Sequence, residues 1–394
     1  MNVADKARAI LRENRRFTNG HQYTLPSPSS YPYQWLWDSC FHIISLCQCE
    51  PDAAKAELRA LLSKQLHDGM LPHIIYWEPG DLHRYEWGVD GTSALTQPPM
   101  VAYAAWETYR RTNDLSFLKE IYPAVYRYYE FLLTKRDPRG NHLSGIINPD
   151  ESGEDNSPRF DAALNVPADI SYEDHLNRRI KLIDANRACN FDAGRCMRNH
   201  FWVKDVPFNA ILVKNLQILA HMASALEKTE DEYVAALHAD LIAKAMREKM
   251  FEGGVFWSTT GSEFEKLRVE TWAHFAPLFA GLYTPEEAGS LIDRYFADPE
   301  TFRAPHGIRT VSKRESSYRS DGYWRGPVWM APHWFIYQGL VAYGFDLEAK
   351  EIREMSMNLL SSAGFREYFN PETGEGYGAE NFTWGALILD MMES

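Results

Sequence analysis

Two acidic segments more than two hundred residues apart supply the carboxylates that could carry chemistry. The first, residues 148–161, reads NPDESGEDNSPRFD. Its glycine, prolines and small polar residues favour turns, which would hold an acidic side chain at a fixed point on the surface. Asp155 is the candidate, and a solvated acidic loop is the alternative. The spacing also resembles a calcium loop, but the twelfth position is Arg159 instead of glutamate, so no calcium site is predicted.

The second segment, residues 365–384, reads FREYFNPETGEGYGAENFTW and contains a tight, glycine-rich loop. Glu367 precedes this loop, whereas Glu372 and Glu375 lie on it. Cleavage of a glycosidic bond needs a protonated acid beside the leaving oxygen and a second carboxylate on the opposite face of the sugar. When water attacks directly, the two carboxyl groups are about 6.5–9.5 Å apart. Asp155 and Glu367, on separate loops, predict such a pair.

The composition favours a sugar ligand over a nucleic acid. The chain has 12 Trp, 21 Tyr and 20 Phe, many of them beside Asp, Gln or Arg, as in YPYQWLWD and DGYWRGPVW. Aromatic rings stack on the CH faces of sugars while neighbouring polar groups bind hydroxyls, although any single ring can equally fill a core. A net charge of −13 repels phosphate backbones and anionic lipids. We therefore expect a small-molecule sugar substrate and no nucleic-acid partner.

The chain also lacks the signals of secretion, membrane insertion and metal binding. No apolar run is long enough for a signal-peptide core or a membrane span. The five cysteines are odd in number and form no C-x-x-C pair, so neither disulfides nor a zinc site is predicted. We expect a cytoplasmic protein with no membrane partner and no metal, and the sequence leaves a homo-oligomer open.

Hydrophobic periodicity predicts helices along most of the chain. Amphipathic helices are expected at about 51–66, 115–136, 230–250, 284–296 and 346–362. Two segments, 206–226 and 328–344, are apolar nearly all round, as expected of helices buried between others. Short strands are expected within 68–90 and 250–258.

Polar or aromatic clusters precede the buried helices at regular intervals. Six such clusters lie near Trp37, Pro99, Phe208, Thr271, Pro327 and Phe382, with spacings of 62, 109, 63, 56 and 55 residues. Each spacing fits one antiparallel helix pair, and the longest includes an extra loop of about 138–168. We therefore expect an all-α fold, an (α/α)6 toroid, as a single catalytic domain over residues 1–394. Its inner helices would enter from one rim and form a pocket there.

Five motifs in this order resemble family 63 of the glycoside hydrolases, above all its short bacterial members that hydrolyse mannosylglycerate or glucosylglycerate. They are WDSCF (37–41), TQPP (96–99), ESGEDNSPRFD (151–161), YWRGPVW (323–329) and EYFNPETGEGYGAENFTW (367–384). The resemblance extends from about residue 20 to the end. It implies an (α/α)6 catalytic domain, inversion at the anomeric carbon and no cofactor. It also implies Asp155 as general acid and Glu367 as general base.

The same resemblance implies which residues bind the substrate. They are Tyr31 and Gln34 on a lid, and Trp37, Asp38, His73, Gln97, Tyr323, Trp324, Arg325 and Trp384 around the sugar ring. Packing in the wall is an equal alternative for Trp324, Trp329 and Trp384, and a structural role is an alternative for His73. One departure from the family pattern is Glu154, which would either raise the pKa of Asp155 by charge repulsion or point to solvent.

The short chain favours a closed pocket for a small, anionic glycoside. A glycerate carboxylate is best bound by a guanidinium, and Arg159, Arg187 and Arg195 are the loop candidates. An α-glucosidase for neutral disaccharides or oligosaccharide ends would use the same two acids. A toroidal sugar isomerase or epimerase, with histidines as acid and base, and a sugar-binding protein without activity are further alternatives. Gluco versus manno configuration stays open.

Overall fold

Helices dominate the structure, a computed structural model that describes residues 2–80 and 86–393. The α-helices bounded within these ranges are α1 (Val3–Glu13), α2 (Leu36–Cys47), α3 (Pro51–Leu62), α4 (Val101–Thr112), α5 (Leu115–Lys135), α6 (Asp161–Leu164), α7 (Tyr172–Ala188), α8 (Ala193–Asn199), α9 (Val206–Ala225), α10 (Thr229–Lys249), α11 (Ala276–Phe279), α12 (Pro285–Leu291), α13 (Met330–Tyr343), α14 (Asp346–Ser362) and α15 (Ile388–Glu393). Short 3-10 helices cover Pro149–Ser152, Pro158–Phe160, Trp272–His274 and Thr383–Leu387. None of the described helices is both long and apolar enough to cross a lipid bilayer.

The strands are short and form small antiparallel sheets at the ends of helices. They are β1 (Arg15–Thr18), β2 (His21–Thr24), β3 (Gln34–Trp35), β4 (Ile74–Ile75), β5 (Val203–Lys204), β6 (Phe251–Glu252), β7 (Val255–Phe256), β8 (Thr259–Thr260), β9 (Glu265–Lys266), β10 (Arg303–Ala304), β11 (Gly307–Ile308), β12 (Arg366–Phe369) and β13 (Gly376–Glu380). The sheets are β1–β2, β3–β4, β5–β8–β9, β6–β7, β10–β11 and β12–β13.

The helices predicted from hydrophobic periodicity are confirmed, because each has a face or a full surface that needs burial. The one predicted over 284–296 continues beyond α12 as a π-helical turn, Ile292–Phe296. The predicted strands are present as β4, β6 and β7, and residues 81–85 of the 68–90 range lie outside the described residues. Helix α7 was not predicted, since its few apolar residues form no continuous stripe.

The inner helices form a closed ring of neighbours. In chain order these are α2, α4, α9, the segment 272–279, α13 and the segment 383–393. Each contacts the next, and the last contacts α2. The amphipathic helices α3, α5, α10 and α14 pack outside α2, α4, α9 and α13, respectively. Residues at or just before the starts of α2, α4, α13 and the segment 383–393 lie close together, around one cavity.

Candidate active site

A cavity of about 310 Å³ lies at the end of the ring where several inner helices begin. Most of the residues predicted for the site line it. They are Tyr31, Trp37, Asp38, His73, Gln97, Asp155, Tyr323, Trp324, Glu367 and Trp384. The two candidate catalytic carboxylates, from segments far apart in the chain, therefore line one cavity.

Asp155 lies in a loop that two buried glutamates anchor, one on each side of Gly153. Glu151 pairs with Arg136, with 2.8 Å between Oε2 and Nη1. Glu154 pairs with Arg159, with 2.6 Å between Oε2 and Nη1. Both glutamates point into the protein and expose 1% of their surface or less. Asp155 faces the cavity instead, with 20% of its side chain exposed.

The surroundings of Glu154 correct two expectations. Glu154 does not point to solvent, because its oxygens accept hydrogen bonds from Arg159 and from the Trp272 indole N–H at 2.6–2.9 Å. Arg159, expected at the aglycone, divides its guanidinium between Glu154 and Asp205 and lies behind the cavity wall. Since Asp205 caps α9, this arginine fastens the Asp155 loop to an inner helix.

Removal of this arginine should destabilise the fold rather than weaken substrate binding. Arg159→Met would leave Glu154 and Asp205 as buried carboxylates without a counter-charge, and breaking such a pair costs about 3–5 kcal/mol. Urea unfolding should show this loss. The exposed Arg195→Met should change the free energy of unfolding by less than about 0.5 kcal/mol. Unchanged stability with a raised KM would return Arg159 to a substrate-binding role.

The cation beside Asp155 is Arg179, on α7. Its Nη1 donates to Asp155 and, at 2.6 Å, to Asp150. Its Nε is buried and has no hydrogen-bond partner within residues 2–80 and 86–393. Burial raises the pKa of Asp155, the Arg179 guanidinium opposes that rise, and the Asp150 carboxylate adds to it. The pKa of Asp155 stays above its ordinary value, and its proton affinity depends on what else Arg179 binds.

Sequence reasoning missed this arginine. Tyr172, Arg179 and Ile183 all line the cavity from α7, at a spacing of seven and four residues that marks one face of a helix. That spacing was the available signal, but the helix itself was not predicted. Two of the arginines proposed for an anionic aglycone lie elsewhere: Arg187 donates to a backbone carbonyl at 2.8 Å, and Arg195 is exposed.

Glu367 lies on β12, opposite a β-bulge in β13. The pairing shifts between Arg366 and Tyr368, so that Gly378 and Ala379 together oppose Glu367. Bulges of this kind change the direction of side chains near functional sites. The Ala379 N–H donates to Glu367 Oε2 at 2.8 Å, which fixes one carboxylate oxygen. The remaining side-chain oxygen, Oε1, lies on the side of the cavity.

Two tyrosines cover this second oxygen. The Tyr31 hydroxyl donates to Glu367 Oε1 at 2.5 Å, and its own oxygen lies 3.2 Å from the Tyr323 hydroxyl. Burial and the Glu367 carboxylate raise the pKa of Tyr31, so this group remains a neutral donor. Burial also raises the pKa of Glu367, while the Tyr31 and Ala379 hydrogen bonds oppose the rise. A buried carboxylate that accepts hydrogen bonds suits a general base.

The glycine opposite Glu367 provides a test of how exact this placement must be. Gly378 has φ of +66°, and a Cβ there would lie 2.3 Å from Glu367 Oε2. Gly378→Ala should therefore displace the carboxylate and lower kcat by about 100-fold, as expected for a shift of about 1 Å. Gly20→Ala is the matched control, because Gly20 has φ of +80° and no heavy atom within 4 Å of its Cβ position. Equal kcat values in the two variants would contradict the placement.

Aromatic rings and two polar side chains form the end of the cavity nearest α2 and α13. Trp324 and Trp329 stack with their ring centres 3.9 Å apart. The Trp384 indole N–H donates to Asp38 Oδ1 at 2.6 Å, and burial raises the pKa of Asp38 to about 6. The Gln97 side-chain oxygen accepts a hydrogen bond from the backbone N–H of Trp37 at 3.3 Å. Ring faces beside a carboxylate and an amide are typical of a sugar subsite.

His73 also lines the wall, with Nδ1 2.5 Å from Ser93 Oγ. Burial lowers the pKa of His73 to about 4, so the ring is neutral at neutral pH and can act as a hydrogen-bonding group. Within the described residues, no group of three or more His, Cys, Asp or Glu side chains is arranged to hold a metal ion.

Two further predicted ligands lie outside the cavity lining. Gln34, expected on a lid, is buried, donates to Ser39 Oγ at 3.0 Å and accepts from the Trp77 indole at 2.9 Å. Arg325 pairs with Asp161 at 2.6 Å and borders an adjoining groove, which also reaches Glu367. The Gln34 amide and the two Arg325 Nη atoms are bound within the protein, and neither side chain lines the cavity, which corrects the expectation of a lid role for Gln34 and of a place around the sugar ring for Arg325.

Comparisons with known proteins agree with this site. A sequence model of the mannosylglycerate hydrolase MGH1-like glycoside hydrolase domain matches residues 31–385. Mannosylglycerate hydrolase from Thermus thermophilus is 32% identical over 97% of this chain and 98% of its own. Glucosylglycerate hydrolase from Mycolicibacterium hassiacum is 27% identical over 99% of this chain and 97% of its own.

The fold agrees as well. The crystal structure of a family 63 mannosylglycerate hydrolase from Thermus thermophilus, in complex with Tris and D-glycerate, matches with a TM-score of 0.91 and 30% identity, over the whole of both chains. The protein is mostly helical, like this relative. The chain therefore belongs to the MGH1-like glycoside hydrolases of family 63.

Proposed function

We propose that this glycoside hydrolase cleaves an α-glycosylglycerate, with a mannosyl or glucosyl ring, and inverts the configuration at the anomeric carbon. The observation that carries the proposal is the arginine at the acid. Arg179 lines the cavity beside Asp155 and keeps a buried Nε without an acceptor in the described residues. A planar guanidinium binds a carboxylate through two parallel hydrogen bonds. The names of the relatives, which include glycerate, support the same aglycone.

In this proposal the two carboxylates divide the chemistry between them. Asp155 donates its proton to the glycosidic oxygen, so that glycerate leaves as a neutral alcohol at that position. Glu367 accepts a proton from the water that attacks the anomeric carbon from the opposite face. Both residues line one cavity from different elements, the loop after α5 and strand β12. Each is held in place by contacts that do not involve the substrate.

The sugar ring lies at the aromatic end in this proposal. Trp324, Trp329 and Trp384 supply ring faces, and Asp38 and Gln97 bind hydroxyls. These residues lie at the starts of α2, α4, α13 and the segment 383–393, whereas Asp155 lies on the side toward α7, beside Arg179. The aglycone then extends from the anomeric carbon past Asp155 to Arg179. The cavity of about 310 Å³ fits a disaccharide-sized ligand rather than a long oligosaccharide.

The architecture proposed for this activity is an (α/α)6 toroid formed by residues 1–394 as one catalytic domain. The closed ring of inner helices supports it, as do the outer helices packed on that ring. The inserted loop at about 138–168 carries the acid, and β12 carries the base. The site is therefore assembled across the ring rather than within one segment.

Paired substrates test this function. α-Mannosylglycerate and α-glucosylglycerate are compared with α-mannosylglycerol and α-glucosylglycerol, which lack only the carboxylate. We expect kcat/KM to be about 100-fold higher for the glycerates, because charge-assisted hydrogen bonds contribute about 1.5–3 kcal/mol. Equal turnover of kojibiose or trehalose would favour a neutral glucosidase. An isomerised sugar without release of glycerate would favour an isomerase or epimerase.

A further inference from the structure

The Arg179 guanidinium contacts the proposed general acid and also lies where the substrate carboxylate is expected to bind. Arg179 lines the cavity, and its Nη1 donates to both Asp155 and Asp150. An aspartate paired with arginine holds its proton weakly, because an opposite charge within 4–6 Å lowers a carboxyl pKa by about 1–3 units. Without substrate, the guanidinium therefore opposes the protonation of Asp155 that burial favours.

We propose, on the basis of the function above, that the substrate's own carboxylate loads the general acid. By binding Arg179, the carboxylate withdraws the guanidinium from Asp155, and Asp155 takes up one proton from solvent. Asp155 later gives this proton to the glycosidic oxygen as the C–O bond breaks, and the attacking water gives its proton to Glu367. The aglycone thus activates the group that cleaves it.

The charges around Asp155 support this order of events. The groups that act on it electrostatically are Asp150 on the same loop, Tyr172 and Arg179 on α7, Tyr31, Tyr323 and Glu367. Burial raises the pKa of the three tyrosines, so they stay neutral. Among these described groups, Arg179 is the single cation.

Addition of a substrate carboxylate therefore changes the balance at this end of the cavity. Two aspartates share the guanidinium before binding, and the substrate carboxylate then competes with Asp155 for it. Like charges in one site favour protonation of one member. Burial already raises the pKa of Asp155, so Asp155 is the member that accepts the proton. A neutral aglycone causes no such change and leaves the guanidinium opposing the protonation of Asp155, which lowers kcat as well as affinity.

Proton uptake on binding tests the inference. Calorimetric titrations of the Glu367→Gln variant at pH 7, in buffers with different ionisation enthalpies, would use α-mannosylglycerate and α-mannosylglycerol. We expect uptake close to one proton with the glycerate and close to none with the glycerol. In the double variant with Asp155→Asn and Glu367→Gln, α-mannosylglycerate should still bind, but proton uptake should disappear. Equal uptake with both ligands, or uptake that persists without Asp155, would overturn the inference.

A kinetic experiment on the wild-type enzyme gives an independent result. In a plot of kcat against pH, activity should fall on the alkaline side at a pH about one unit or more higher for α-mannosylglycerate than for α-mannosylglycerol; this fall is the alkaline limb. In Arg179→Gln the two limbs should coincide, and at pH values above the wild-type limb kcat for the neutral glycoside should rise about 10-fold, because no guanidinium opposes the protonation of Asp155. A purely structural arginine would give a loss with both substrates, which would overturn the inference.

Failure of this inference can be distinguished from failure of the proposed function. Hydrolysis of α-mannosylglycerate with coincident pH limbs in the wild-type enzyme would overturn the loading of Asp155 alone. No hydrolysis of either α-mannosylglycerate or α-glucosylglycerate would overturn both.

Discussion

Asp155→Asn should lower kcat for a glycosylglycerate by about 10³-fold, within the range that general acid catalysis contributes. The loss should depend on the leaving group. Glycerate is a poor leaving group without a proton, whereas 4-nitrophenolate leaves without one. For 4-nitrophenyl α-mannoside, kcat should therefore fall by less than about 10-fold. Because asparagine has the same shape and still accepts a hydrogen bond from Arg179, the loop and its ion pairs should persist.

The control for this variant is Asp184→Asn, an exposed aspartate on α7. Its kcat should match that of the wild-type enzyme with both substrates. The same large loss with glycerate and 4-nitrophenolate as leaving groups would show that Asp155 does not act as the proton donor. Steady-state kinetics at the pH optimum, with thermal unfolding to confirm the fold, provide the measurement.

Glu367→Ala should lower kcat by about 10³-fold with both leaving groups, because water must be activated whichever group departs. This lack of dependence on the leaving group distinguishes a base from an acid. Alanine also leaves space beside the Ala379 N–H, which now donates to Glu367 Oε2 at 2.8 Å. Azide, a strong nucleophile that needs no deprotonation, should restore part of the activity and form a β-glycosyl azide.

Glu375→Gln, on the loop after Glu367, is the matched control and should keep kcat within about 2-fold, since its carboxylate is exposed. An α-configured azide product would contradict direct displacement at the anomeric carbon. So would a Glu367→Ala variant that hydrolyses 4-nitrophenyl α-mannoside at the wild-type rate. Product configuration is read from the anomeric proton coupling in NMR spectra.

The sequence predicted the helices better than it predicted the ligands. Apolar periodicity marks α9 and α13 because burial on all sides requires apolar residues on all sides. Helix α7 has no such stripe, since the face toward the cavity carries Arg179 between Tyr172 and Ile183, and so Arg179 was missed. Functional surfaces depart from the patterns that reveal secondary structure.

Residue type alone could not show which charged side chains are available to a ligand. Arg159 lies in the same motif as Asp155, yet its guanidinium is buried between Glu154 and Asp205. The difference depends on tertiary packing against Trp272, more than one hundred residues away. In the same way, the bulge that directs Glu367 arises from strand pairing with Ala379, which no local pattern specifies.

The central claim is that water attacks directly, across the sugar ring from Asp155. The most direct test is a time course of proton NMR spectra during hydrolysis of α-mannosylglycerate and α-glucosylglycerate. The enzyme concentration must be high enough that hydrolysis is faster than mutarotation. The account predicts that the β-anomer of the free sugar appears first and converts slowly to the α-anomer. The α-anomer as the first product would contradict it.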